Sequence, residues 1–222
     1  MTKDGRPSLI TDIRLFAGDR STSSSYLEKQ EEAVAYGRRI AWLLNSEGFS
    51  LGAFPALYVL FTPMLDPGSI QVTDEGGDWW HRYVHVGVAD NFTSDPSSLD
   101  FIMNGIVKAL IAIRPDQADT IRHADAVVRE RGASLRFLLK RRDMAKVVIE
   151  TSFNIEAWPK PSCLFIAHID KNNGVYREAD PIALGNYMEG FDLVSGIRLE
   201  DAANLKDVRP RPMVSALVRR RG

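Results

Sequence analysis

Hydrophobic and polar residues follow one another in three distinct ways along this chain, and each way predicts a different element. Residues 7–16 (PSLITDIRLF) step between apolar and polar and predict a half-buried strand that ends at Gly18-Asp19. Residues 27–45 place Val34, Gly37, Ile40, Ala41 and Leu44 at three- and four-residue steps, with Glu28, Lys29, Glu31, Glu32, Arg38 and Arg39 around the rest. That spacing is a helix with one buried stripe, and the Ser and Thr run at 21–25 offers its caps. Residues 54–62 (FPALYVLFT) are apolar almost without interruption and predict a central strand. Asp66-Pro67-Gly68 and Glu75-Gly76-Gly77-Asp78 supply turns, so 54–62, 69–73 and the alternating 79–88 (WWHRYVHVGV) are expected to form an antiparallel meander.

Helical spacing then returns. Residues 95–98 (DPSS) cap a helix whose inner positions are Leu99, Ile102, Met103, Ile106, Leu110 and Ile113, and Pro115 interrupts it. A second helix over 116–131 carries Ala118, Ile121, Ala124 and Val128 on one face and stops at Gly132. Strand chemistry resumes at 145–158 and 162–170, separated by Pro159-Lys160-Pro161, and Lys171-Asn172-Asn173-Gly174 reads as a hairpin turn. Residues 175–184 are extended, 185–191 form a short helix, and 213–221 fit either a strand or a basic helix. This order predicts an α+β fold, a mainly antiparallel sheet with helices packed against it. It is read as one domain over 1–222, with two sheet-plus-helix halves of about 1–114 and 115–222.

Composition supports this picture. Of 222 residues, 45% are apolar and 26% charged, enough for one hydrophobic core and unlike a disordered or fibrous chain. The runs 54–64 and 106–113 fall short of the ~20 apolar residues that span a bilayer, so no membrane is expected. The single cysteine, Cys163, makes no internal disulfide, which suits a reducing compartment, and a cytoplasmic location is expected.

Charge changes the picture more. The net charge of −1 hides signed segments. Residues 64–100 hold seven acids (Asp66, Asp74, Glu75, Asp78, Asp90, Asp95 and Asp100) against Arg82 alone. Residues 120–146 hold eight bases against three acids, 147–205 are acidic again, and the tail from 206 to 222 is basic. Such blocks neutralise one another in the fold, form solvated faces, steer a partner of opposite sign or touch nucleic acid.

The motifs point away from catalysis. Gly48-Phe49-Ser50-Leu51-Gly52 spells G-x-S-x-G, but a nucleophile elbow needs a strand before the serine and a helix after it. Here the order is reversed, and Gly48 reads as a helix C-cap. His81 and His85 would share a metal on a helix; on the strand that surrounds them they stand ~13 Å apart, too far for two ~2 Å bonds to one ion. His123 and His168 stand alone, and Cys163 reads as a small buried hydrophobe. Asp170 to Gly174 echoes a calcium loop without its distal glutamate and reads as a turn. No catalytic residue, metal ligand or cofactor is therefore assigned.

One segment combines anchoring and steering. Trp79 and Trp80 are adjacent on a strand and point to opposite faces, so either the sheet is covered on both faces and both rings are core, or one of them is exposed beside Asp74, Glu75, Asp78 and Arg82. An exposed tryptophan among acids is the composition of a protein-binding hot spot for a basic partner. These six residues are the candidate partner-binding site.

Residues 58–63 (YVLFTP), 67–70 (PGSI) and 78–88 (DWWHRYVHVGV) resemble the strand, turn, strand core of immunity proteins that accompany bacterial polymorphic toxins, over roughly residues 55–90. The resemblance implies a cytoplasmic α+β inhibitor that binds one cognate toxin domain and has no catalytic residues of its own. The expected function is thus a non-enzymatic protein-binding module. Two alternatives stand beside it: an enzyme with a dispersed site around His81, Tyr83, His85 and acids such as Glu75 or Glu150, and a nucleic-acid-binding protein using 120–146 and the Arg-rich tail.

Overall fold

A computed structural model of the chain describes residues 7–19, 24–27, 29–73, 81–93, 96–190 and 217–218. They form an α+β fold of two sheets whose strand pairings are mostly antiparallel taken together, the first sheet being mixed, and the chain divides into two compact units, a first reaching to Gly132 and a second starting at Ala133.

In the first unit, β1 (Asp12–Ala17), β2 (Ser25–Tyr26), β3 (Ala56–Thr62), β4 (Ile70–Thr73) and β5 (His81–Gly87) make one sheet in the order β2-β1-β3-β5-β4. The expected meander is corrected here. β3 lies next to β5 and parallel to it, in register from Ala56 opposite His81 to Thr62 opposite Gly87, while β4 folds back antiparallel on the far side of β5. The reason lies in burial. All seven residues of β3 are buried, so the strand needs partners on both edges and cover on both faces. β4, with Gln71 exposed and its other residues half-buried, suits an edge. β1 completes the parallel core, from Asp12 opposite Ala56 to Ala17 opposite Phe61.

Helix α1 (Glu31–Ser46) connects β1 to β3 and lies against β1. The expected single stripe is corrected: Gly37, Ile40, Ala41 and Leu44 are buried as read, but so is every residue from Arg39 to Ser46, so the second half of the helix is covered on all sides, while Val34 is only half-buried. The Ser and Thr run does not cap it, another correction: Ser25 already belongs to β2, and α1 starts after Gln30 with no side-chain cap. Helix α2 (Leu99–Ile113) buries Ile102, Met103, Gly105, Ile106, Ala109 and Leu110 against the sheet and α1. With its lead-in it makes an 18-residue stretch, Pro96–Ile113, of mean hydropathy 1.3, long and apolar enough for a membrane span by length and composition alone. In the fold that apolar stripe is spent on the core. Helix α3 (Ala118–Arg131) buries Ile121, Ala124 and Val128, packs on α1 and α2, and ends at Gly132 as expected.

The G-x-S-x-G segment ends a helix. Gly48 has φ +79° and donates its N–H to Asn45 O at 3.0 Å, and Ser50 is tied by its hydroxyl to Ser8 O at 2.6 Å.

The second unit is an antiparallel meander of β6 (Arg136–Asp143), β7 (Val147–Phe153) and β8 (Ser162–Asp170), widened by β9 (Tyr176–Glu178), β10 (Ile182–Leu184) and β11 (Leu217–Val218). β7 stops at Phe153, five residues before the expected end at Trp158, because Asn154 keeps only half of its ladder pair: its N–H donates to Cys163 O at 3.1 Å, while the return N–H of Cys163 goes to the Asn154 side-chain oxygen at 2.7 Å. The 171–174 turn is a hairpin turn as read, with Gly174 at φ +70°. Asp170 spends a carboxylate oxygen on the N–H of Asn172, at 2.8 Å. Cys163 is half-exposed rather than buried, since it sits at the end of β8 where only the short β10 runs alongside.

Candidate functional site

The β4–β5 hairpin begins at Asp66-Pro67-Gly68-Ser69. Ser69 donates both its N–H and its hydroxyl to Asp66 O, at 3.0 and 2.6 Å, and Gly68 donates its N–H to Gly87 O at 2.8 Å. Gly87 has no alternative residue: a Cβ there would stand 2.0 Å from Asp66 O. The turn is thereby clamped onto the end of β5, and the ladder runs from Ile70 opposite Val86 to Thr73 opposite Tyr83 with no bulge.

The chain between Thr73 and His81 joins these two strands, and it contains Asp74, Glu75, Asp78, Trp79 and Trp80. These five candidate residues lie outside the described residues. What the structure places is their two anchors, Thr73 and His81, at neighbouring strand ends on the edge of the sheet. Arg82, the sixth candidate, is described. It stands opposite Leu57, half-buried, on the side of β5 that carries Val84 and Val86, and so faces away from His81, Tyr83 and His85.

His81, Tyr83 and His85 do share a face, and three neighbouring strands extend it. The His81 ring stacks on Tyr58 at 4.2 Å, Tyr58 meets Phe16 at 5.0 Å, and Phe16 stacks on Tyr26 at 4.8 Å. Tyr83 stands edge-on to both Tyr58 and His81, at 5.3 and 5.0 Å. Arg14 lies over the Tyr58 ring and is held there by Asp12 at 2.8 Å, a bond that raises the guanidinium above its ordinary pKa. Burial pushes the Tyr58 hydroxyl up as well, with Arg14 opposing the shift. Tyr58, His81 and Tyr83 are all buried, so this is a packed aromatic layer. Among the described residues no group of three or more His, Cys, Asp or Glu is placed to hold a metal.

On the opposite face of the same hairpin a cleft of about 330 Å³ opens between Gly68, Val86 and helix α2. The helix presents Phe101, Asn104, Gly105 and Lys108, one stripe at three- and four-residue steps. Phe101 is 39% exposed, while its ring keeps to an aromatic group with Phe92 at 6.0 Å and Phe61 at 6.4 Å.

The chain matches no family model, no curated protein and no solved structure. Function therefore rests on the arrangement itself.

Of the two acids named in the alternative enzymatic reading, Glu75 lies outside the described residues. Glu150, only 2% exposed, belongs to the second unit, where its carboxylate takes Arg141 at 2.5 Å. The basic stretch is likewise engaged. Arg136 bonds Glu178 at 2.8 Å and lies 3.5 Å over the Phe165 ring, and Glu178 also accepts the Tyr176 hydroxyl. The eight-base block and the acidic block after it thus neutralise each other across strands at these points.

Two features escaped the sequence. The Phe101, Asn104 and Lys108 stripe was masked by the stronger apolar periodicity of the buried stripe of α2; a large aromatic outside the buried stripe of an amphipathic helix was the available signal. Trp158, expected at the end of a strand, is 73% exposed in the turn before Pro159-Lys160-Pro161.

Proposed function

We propose that the chain is a non-enzymatic protein-binding module, an immunity-type inhibitor of a basic toxin domain, and that the β4–β5 hairpin carries its recognition surface. The observation that supports this reading is the placement of the hairpin. Its strands are held by a continuous ladder at the sheet edge, and the segment joining them contains both adjacent tryptophans and three acids. Binding residues carried on a connection between rigid strands are positioned without disturbing the core. Large aromatics supply anchoring area, and the surrounding acids raise the encounter rate with a cationic partner.

The test is capture of a partner from the source cell with the purified chain, followed by calorimetry on the purified pair. A stoichiometric complex is expected, with affinity that falls as salt rises. A Trp79→Ala/Trp80→Ala variant that keeps the wild-type circular dichroism spectrum should bind at least tenfold more weakly, and Asp78→Lys should mainly slow association. Full-affinity binding by both folded variants would overturn the reading.

A further inference from the structure

The edge of the first sheet has a property that the hairpin tip alone does not explain. In the β4–β5 ladder, Gly87 donates its N–H to Ser69 O at 2.9 Å, while the next residue, Val88, donates across the other edge of β5 to Thr62 O at 3.0 Å. Bonds to one neighbour recur at every second residue of a strand. Ser69, Gln71 and Thr73 therefore direct their backbone groups to β5, and Ile70 and Val72 direct theirs outward. β4 is the last strand of its sheet, and among the described residues no other strand pairs with it. It also lacks the usual protections of an edge: its four residues, Ile70, Gln71, Val72 and Thr73, include no lysine, no proline and no bulge.

We infer that β4 receives an extended, basic segment of the partner as an added strand, whose inward side chains settle in the cleft beside α2. This rests on the protein-binding reading and deepens it by naming the chemistry of the partner segment. Three observations converge on it. The outward N–H and C=O groups of Ile70 and Val72 supply the main-chain bonds of strand addition. The cleft lies on the face that Ile70, Val72 and Val86 share, the face on which α2 packs, and alternate residues of an added strand point to that same face. Its volume, about 330 Å³, suits one or two apolar side chains. Finally, β4 is bracketed by acids, with Asp66 before it and Asp74, Glu75 and Asp78 after it. Asp90 adds to the same sign, Asp100 being paired with Arg129 at 3.0 Å, against Arg82 in the segment 64–100 and Lys108 in the cleft. An added strand with its apolar residues turned to α2 and its lysines or arginines turned outward matches that field.

The test uses three capped seven-residue peptides with the isotope-labelled full-length chain. One alternates valine and lysine, one alternates valine and glutamate, and the third is the valine–lysine peptide with backbone N-methyl groups on alternate residues of its bonding edge. The valine–lysine peptide should shift the amide resonances of Ile70 and Val72 and slow their hydrogen exchange at least tenfold. The glutamate and N-methylated peptides should bind at least tenfold more weakly. Val72→Pro removes an outward N–H that no bond to β5 requires, so the ladder is retained and peptide binding is lost. If that variant does not fold, the N-methylated peptide makes the same deletion on the ligand side, and the proposal stays exposed to refutation. Equal binding of all three peptides, or shifts confined to residues remote from β4 and α2, would overturn strand addition. If no peptide binds while the captured partner still depends on Trp79 and Trp80, the strand inference fails and the protein-binding reading stands. If neither peptide nor partner binds, both fail.

Discussion

Strand β3 of the first unit buries all seven of its residues and carries no charge, whereas β6 of the second has five charged residues in eight and buries only Phe137. Each lies inside its sheet, with a neighbour on both edges. β3 is held by apolar cover on two faces, and β6 by ionic partners on other strands of its sheet, Arg141 with Glu150 on the adjacent β7 and Arg136 with Glu178 on β9. The contrast teaches that position inside a sheet does not dictate one stabilising chemistry. It also separates what each unit should tolerate. Removing buried carbon leaves a cavity whose cost does not depend on salt, whereas an exposed ion pair of the second unit, such as Lys171 with Asp143, is worth little and is screened.

The largest effect should come from β3. Leu57→Ala deletes a fully buried side chain and should lower stability by about 2–5 kcal/mol in urea unfolding, equally at low and high salt. A loss below ~1 kcal/mol would show that β3 does not depend on two-sided burial.

A smaller effect, visible through pH, should come from Tyr36 on α1. Burial, and then the bond it donates to Asp125, raise its hydroxyl well above the usual tyrosine pKa. The folded chain thus keeps this proton at a pH where the unfolded chain has lost it. Stability from this group is fully present below the ordinary value of 10.0 and falls as pH rises beyond it. Tyr36→Phe should cost about 1 kcal/mol at neutral pH and remove up to ~1.4 kcal/mol per pH unit of the alkaline decline. An unchanged alkaline slope would mean the hydroxyl ionises alike in both states.

The smallest effect should come from the second unit's surface. Lys171 holds the Asp143 carboxylate below its usual range. A depressed pKa contributes stability above the ordinary carboxylate value of 3.8 and loses it as pH falls through the folded value, the opposite sign to Tyr36. Asp143→Asn should flatten the acid side of the stability curve slightly and only at low salt. An effect that persists in molar salt would promote this pair from surface decoration to structural support.

The same contrast explains what was legible. An unbroken apolar run such as 54–62 can be little else than a strand covered on both faces, and the alternation in 81–88 correctly set His81, Tyr83 and His85 on one side. Gly48 and the 171–174 turn were legible because left-handed backbone and tight turns are local demands. Strand order was not, because pairing β3 with β5 rather than β4 is settled by burial across the sheet rather than by local spacing. β6 escaped altogether: RFLLKRRD reads as a solvated basic face until Glu150 and Glu178 come beside it from other strands. Of the candidate site, the composition of the 74–80 connection was legible, and the structure added the placement of its anchors Thr73 and His81, the side of β5 on which Arg82 stands and the cleft along α2.

The clamp between Gly87 and the Asp66 turn has an evolutionary consequence. Because β4 and β5 are aligned from the turn at 66–69 and through β3, the alignment does not depend on what joins Thr73 to His81. Changes of length or sequence in that connection leave the scaffold's register alone. A lineage could therefore rewrite that connection repeatedly while inheriting the rest of the sheet intact.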